Sequence, residues 1–328
     1  MAVQRMSRMS PRMLTKRLTT STAAEVLGLF SSCRSQFDGI HFAAALGRVA
    51  GSPVPPELLT DVQEMMQVAE VELSVCGPRQ VATLCHAAGR LARQEELKAS
   101  AISLLRAAGA EIGRCEEDLQ PQGVANWCWA YGKVQVGLPV AERLAARATT
   151  APGQYAPQQI AAVVWSLAAL RSQRRDLLRA LGLEAAGIAG QFADRSLTNV
   201  LWAYSCVNVH HESVEWLVEE AGLRSRRLRT DDLIGSLVST AKLRVGSIGA
   251  ALLCKEVGRR GGIPARWVGT GCWALAELGN RDALASVARR IEPQSLTPAE
   301  VASLAVAYSR WWDASHAGAA EECRATCV

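Results

Sequence analysis

A chain of 328 residues, 49% hydrophobic and 20% charged, has more apolar surface than one compact core uses, so either two domains or an elongated array is expected. It contains no apolar run approaching the ~20 residues of a membrane-spanning helix and no apolar stretch near the start like the core of a secretory leader. The formal charge of +5 belongs to the first 24 residues, which carry Arg5, Arg8, Arg12, Lys16 and Arg17 and no acid; the other 31 basic and 31 acidic side chains cancel, so a strongly basic folded body is excluded.

In chain order, residues 1–19 read as a basic N-terminal tail. Arg, Ser, Thr and Met without acids is the composition of an organellar transit peptide, which makes a mitochondrion or plastid the expected address, the cytoplasm otherwise. Residues 20–316 read as a helical-repeat body, and residues 317–328 as a C-terminal tail.

The body repeats when it is laid against itself. The segments VATLCHAAGRL, VANWCWAYGKV, IAAVVWSLAAL, LTNVLWAYSCV, LIGSLVSTAKL, VGTGCWALAEL and VASLAVAYSRW share one pattern. Their sixth residues are His86, Trp129, Trp165, Trp202, Val238, Trp273 and Val306, spaced by 43, 36, 37, 36, 35 and 33 residues. FDGIHFAAALGRV fits more weakly upstream, with Ala44 at the anchor. Between the anchors lie second segments rich in strong helix formers, such as EELKASAISLLRAAGAEI and ESVEWLVEEAGL. Pro121, Pro157, Pro264 and Pro298 stand where first helices begin, and Gly109, Gly187, Gly222 and Gly261 stand near the ends of second helices, where caps belong. No segment alternates with period two. The fold class is all-α: an α-solenoid, a right-handed superhelix of about 7–8 helical hairpins.

At 100° per residue, positions −5, −2, −1, +2 and +5 from the anchor share one apolar face, the expected interhelical core. Position +1 is always small (Ala87, Ala130, Ser166, Ala203, Ser239, Ala274, Ala307), as close contact between neighbouring first helices requires. The anchor shares the opposite face with positions −7, −3 and +4, where polar side chains vary between units. The candidate ligand contacts on that face are Asn126, Lys133, Gln158, Arg195, Asn199, Lys242 and Thr270.

The column of Trp129, Trp165, Trp202 and Trp273 has two readings. The rings could stack unpaired bases, or they could fill space between consecutive first helices, the indole N–H bonded to a side chain such as Asn126 or Asn199. Packing is the favoured role for the rings, and ligand contact for the polar column. Two arginine clusters, Arg171, Arg174, Arg175 and Arg224, Arg226, Arg227, Arg229, fall between helices, where guanidinium groups could grip phosphates or merely be solvated.

The units VANWCWAYGKV, LTNVLWAYSCV and VGTGCWALAEL resemble the N-x-x-W-A-[YFL]-[AS]-K-L unit of octotricopeptide-repeat and RAP-type proteins, including the chloroplast translation-factor type. FAST-kinase-like mitochondrial proteins and subunit six of the trypanosome RNA-editing substrate-binding complex are similar in style. The resemblance covers most of residues 20–311 and implies an organellar protein that holds single-stranded RNA along a concave inner surface and acts in RNA processing, stability, editing or translation. It departs from the family where Val238 and Val306 replace Trp, and no clear RAP-like domain stands at the C-terminal end.

Neutral overall charge keeps a second reading open, a protein-binding scaffold subunit of an organellar ribonucleoprotein complex, with the Met-rich, acidic stretch near residues 61–72 as a partner surface. Neither reading calls for an enzyme, a cofactor, a metal or a small-molecule substrate. The ten cysteines include no C-x-x-C pair and read as reduced, mostly buried thiols; Cys323 and Cys327 are the one close pair, on a frayed C-terminus. His210 and His211 beside Glu212 lack a nucleophile, and a helix entry explains them.

Overall fold

The computed structural model describes residues 9–260 and 263–291, and beyond these 297, 298, 300–302, 304–306 and 309. Gly261, Ala299, Ser303, Ala307, Arg310, Cys323, Cys327 and the boundary at residues 316–317 lie outside the described residues. Every regular element among the described residues is helical. The chain forms two compact units, Met1–Leu177 and Leu178–Val328.

The first unit holds α1 (Pro11–Thr20), α2 (Ala23–Cys33), α3 (Gly39–Val49), α4 (Leu59–Val71), α5 (Pro78–Leu91), α6 (Glu95–Ala110), the short α7 (Ile112–Cys115), α8 (Pro121–Val134), α9 (Leu138–Thr149) and α10 (Pro157–Ala169). α11 (Arg175–Gly187) runs across the boundary. The second unit continues with α12 (Asp194–Val207), α13 (Glu212–Leu223), α14 (Thr230–Lys242), α15 (Ile248–Arg260), α16 (Ala265–Glu277) and α17 (Arg281–Ala288). The first helix of each hairpin packs on the first helix of its neighbour within a unit: α1 on α3, α3 on α5, α5 on α8 and α8 on α10 in the first unit, α12 on α14 and α14 on α16 in the second. Second helices stack likewise, α4 on α6, α13 on α15 and α15 on α17. This is an all-α helical-repeat solenoid, with seven packed hairpins inside the two units among the described residues.

The array begins inside the segment 1–19 that composition marks as a tail. Leu14 and Leu18, one turn apart on α1, are fully buried against α3, and the Nε2 of buried His41 lies 3.2 Å from the carbonyl of Pro11. Arg12, Lys16 and Arg17 on the same helix are exposed, so the charge conceals a two-leucine stripe.

The core is the predicted one: Val124, Trp127, Cys128 and Tyr131 on α8, and Leu197, Val200, Leu201 and Tyr204 on α12, are buried. The small residue at +1 has its partner three positions past the previous anchor. A Cβ on Gly89 would lie 2.9 Å from Ala130 Cα, and one on Gly132 would lie 2.7 Å from Ser166 Cα and Cβ. Those glycines let α5, α8 and α10 approach backbone to backbone.

Two of the expected caps have another task. Gly109 lies within α6 beneath the hydroxyl of Tyr131, and Gly222 on α13 backs onto Gly249 of α15, where a Cβ would come within 2.3 Å of Gly249 Cα. Met65 and Met66 are fully buried, which removes them from any partner surface near residues 61–72. His211 caps α13, its Nδ1 accepting from Ser213 N at 3.3 Å, and the Nε2 of His210 lies 3.0 Å from Asn208 Oδ1.

Five first helices, α8, α10, α12, α14 and α16, end alike. Gln135, Arg171, Asn208, Arg244 and Gly279, each six residues past an anchor, have φ between 49° and 69°, the left-handed turn that breaks the helix.

Candidate nucleic-acid interface

The face bearing the anchors and positions −7, −3 and +4 is open to solvent in both units. In the first, Gln122, Lys133 and Gln158 are exposed, and Asn126, Trp129 and Trp165 are half-buried. In the second, Arg195, Lys242 and Thr270 are exposed, Asn199 and Trp273 half-buried, and Trp202 is 39% exposed.

Trp129 and Trp165 wedge against the neighbouring first helix while keeping one side wet. Trp129 meets His86 of the preceding repeat at 5.0 Å between centroids, tilted by 48°. Trp129 also packs on the open backbone at Gly89, as Trp165 does at Gly132, each Cζ3 3.1 Å from where a Cβ would stand. Burial holds the His86 imidazole below the usual histidine pKa, and Arg90 and Arg93 push the same way, so the ring facing Trp129 is neutral at pH 7.

The polar candidates fall into two sets. At the N-terminal ends of first helices, cross-repeat bonds engage Arg195 directly and Asn126 through Gln122, while the Thr270 hydroxyl donates to Trp267 O in its own helix. Gln122 Nε2 donates to Asn126 Oδ1 at 2.8 Å and its Oε1 accepts from Gln159 Nε2 at 3.1 Å, joining α8 to α10. Arg195 Nη1 donates to Asp232 Oδ1 at 2.7 Å, joining α12 to α14, although most of its side chain stays exposed. Arg266 Nη2 and Trp267 Nε1 both donate to Asp231 Oδ1, at 2.6 and 2.7 Å, joining α16 to α14. These bonds, Trp267's first, hold the Asp231 carboxyl below its ordinary pKa. A cleft of about 460 Å³ among Asp194, Arg195, Arg229, Asp231 and Asp232 thus sets three carboxylates against two guanidiniums.

At the C-terminal ends the cations are open, apart from half-buried Arg90, whose Nη2 donates to the Gly51 carbonyl at 3.3 Å. Lys133 and Lys242 make no ion pair among the described residues, and Arg90, Arg93 and Arg171 stand at the same ends in the first unit. In the second unit Arg244 stands beside Lys242, its Nε 3.8 Å from Glu277. Cations here also complement the helix dipole. Sequence reading passed over Arg93 and Arg244 because the +6 and +7 positions were not aligned as columns.

The arginine clusters divide similarly. Arg171 is exposed, and Arg174 is bidentate on Asp176. Arg224 is no phosphate ligand: its side chain is 5% exposed, and it donates to the carbonyls of Ala189 and Phe192 and to Asp194 and Glu220. The same clamp recurs at second-helix ends, from Arg114 to the carbonyls of Leu73 and Cys76, from Arg147 to Glu117 and Leu119, and from Arg260 to Ser225 and Arg226. Each arginine ties its hairpin to the turn before it.

Seven of the eight described free cysteines are buried; Cys206 is exposed. Burial pushes the Cys128 thiol up to about 12. Among the described residues no group of His, Cys, Asp and Glu could hold a metal ion, and no helix is long and apolar enough to cross a membrane.

No family model matches the chain. A segment of 94 residues is 33% identical to a protein described as "RAP domain-containing protein, chloroplastic" from Oryza sativa subsp. japonica. The match spans 28% of this chain and 15% of the relative, so the chain covers only a small part of that protein's length, and the likeness is to one stretch of a RAP-type plastid protein.

Proposed function

We propose that this protein is an organellar RNA-binding helical-repeat protein that holds single-stranded RNA on the solvent face of its first helices, without catalysis of its own. One observation carries the reading: half-buried rings recur on successive first helices, beside exposed amide, hydroxyl and ammonium groups that the core does not use. Bases stack on such rings, and neighbouring polar groups address their edges. Phosphates are met at the C-terminal ends of the first helices, by Lys133, Arg171, Lys242 and Arg244. The likeness to a chloroplastic RAP-domain protein supports a plastid address and a role in processing, stabilising or translating an organellar transcript.

The test is fluorescence anisotropy with a labelled mixed-sequence single-stranded RNA across a salt series. The double variant Lys133→Ala/Lys242→Ala weakens binding roughly tenfold and lowers the magnitude of the salt slope by about 1.4, the share of two phosphate contacts on a single strand. Asn199→Ala and Trp202→Ala weaken binding with little change in slope. Absence of salt-dependent binding by the unmodified chain overturns the reading.

A further inference from the structure

The second-helix side of the second unit has a surface that the proposed RNA face does not explain. Leu183 on α11, Trp216 and Leu223 on α13 and Ile248 on α15 are exposed by 52, 67, 72 and 75%. Helix crossings draw them into one region. Gly182, next to Leu183, meets Ser213 one turn before Trp216, and Gly222, next to Leu223, backs onto Gly249, next to Ile248. Trp216 and Leu223 are seven residues apart, so they share one side of α13. These side chains lie largely outside the packing among the described residues, and monomers rarely expose large apolar groups so close together.

The charge around Trp216 decides the occupant. Glu212, Glu215 and Glu219 flank it on α13, and none has an ion pair among the described residues; Glu220, in the next turn, is held by Arg224. An acidic collar repels phosphodiester backbones and anionic lipid alike, although a bare indole would otherwise suit either. It attracts a helix that carries an apolar stripe between lysines and arginines. We propose that the α13–α15 surface docks a basic amphipathic helix of a partner protein, on a different side of the hairpins from the RNA face.

The probe is a fluorescein-labelled synthetic helix of roughly 18 residues, five turns, with Leu at i, i+3, i+4 and i+7 spacing and Lys on its flanks; its control replaces each Lys with Glu. With the full chain, anisotropy gives at least about tenfold tighter binding of the basic peptide, and Trp216→Ala removes at least about tenfold of that affinity. The double change Glu212→Lys/Glu215→Lys, both exposed, inverts the preference towards the acidic peptide. Single-stranded RNA does not compete, so this result stands or falls apart from the RNA reading. Equal binding of the two peptides, no saturable binding, indifference to Trp216→Ala, or displacement by RNA overturns the proposal. So does sedimentation showing a self-associated chain that Trp216→Ala makes monomeric, since the occupant would then be a second copy.

Discussion

The hydroxyl of Tyr204 donates to the carbonyl oxygen of Leu178 at 2.7 Å, from the first helix of one hairpin to the second helix of the hairpin before it. Tyr131 makes the same bond to Leu105, across the same sequence separation of 26 residues. Gly182 and Gly109, each four residues past the acceptor, leave room for the hydroxyl, and burial pushes both phenols above their ordinary pKa. Tyr204→Phe leaves that oxygen without its side-chain donor and costs about 1–2 kcal/mol in urea unfolding followed by circular dichroism. An unchanged midpoint would show that the bond contributes nothing.

Gly132→Ala tests the close approach of α8 and α10. The new methyl would meet Ser166 at 2.7 Å, backbone included, so the helices must separate. A gain of about 1 kcal/mol in helix propensity offsets part of an overpacking cost of about 1–3 kcal/mol. The expected outcome is a lower thermal midpoint; a raised one would mean that the helices yield freely.

Arg224→Ala removes a buried guanidinium shared among two carbonyls and two carboxylates. Loss of about 3 kcal/mol follows from the groups left unpaired. Arg224→Lys recovers little, because an ammonium lacks the planar fork that reaches both carbonyls. Full rescue by lysine would reduce the clamp to simple charge.

Glu256 is buried on α15 and accepts from Arg259 and Arg260, of which Arg260 also clamps the preceding turn. Its pKa is lowered from 4.5 to about 2, chiefly by the Arg259 hydrogen bond. A carboxyl with a depressed folded-state pKa stabilises fully above 4.5, and that contribution is lost as pH falls through about 2. The stability difference between the unmodified chain and Glu256→Gln should be largest at neutral pH and shrink across that acid window. A difference independent of pH would assign the effect to packing.

Arg171→Gly relieves a non-glycine residue held at φ 55°. Stability should rise by about 0.5–1 kcal/mol, while RNA affinity falls if this side chain meets phosphate. Stability and affinity rising together would remove Arg171 from the interface.

The repeat, the buried face and the small residue at +1 were legible because each is a side-chain property recurring at fixed spacing. The left-handed position was not, since Gln135, Arg171, Asn208, Arg244 and Gly279 share a backbone angle and no common chemistry. The clamps escaped because Arg114, Arg147, Arg224 and Arg260 look like surface charge until their carbonyl partners are placed. For the candidate site, sequence found a solvent-facing side of the first helices but treated its polar residues alike. It did not reveal that Gln122 and Asn126 are bonded to each other, that Asp232 occupies one edge of Arg195, or that Lys133 and Lys242 make no ion pair among the described residues.

The contacts at Gly89 and Gly132 have an effect beyond cohesion. They fix the distance from His86 to Trp129 and from Trp129 to Trp165, and so the interval at which a bound strand would find its next aromatic platform. A molecule threading that face would thus be measured against a ruler whose graduations are set by missing methyl groups it never touches.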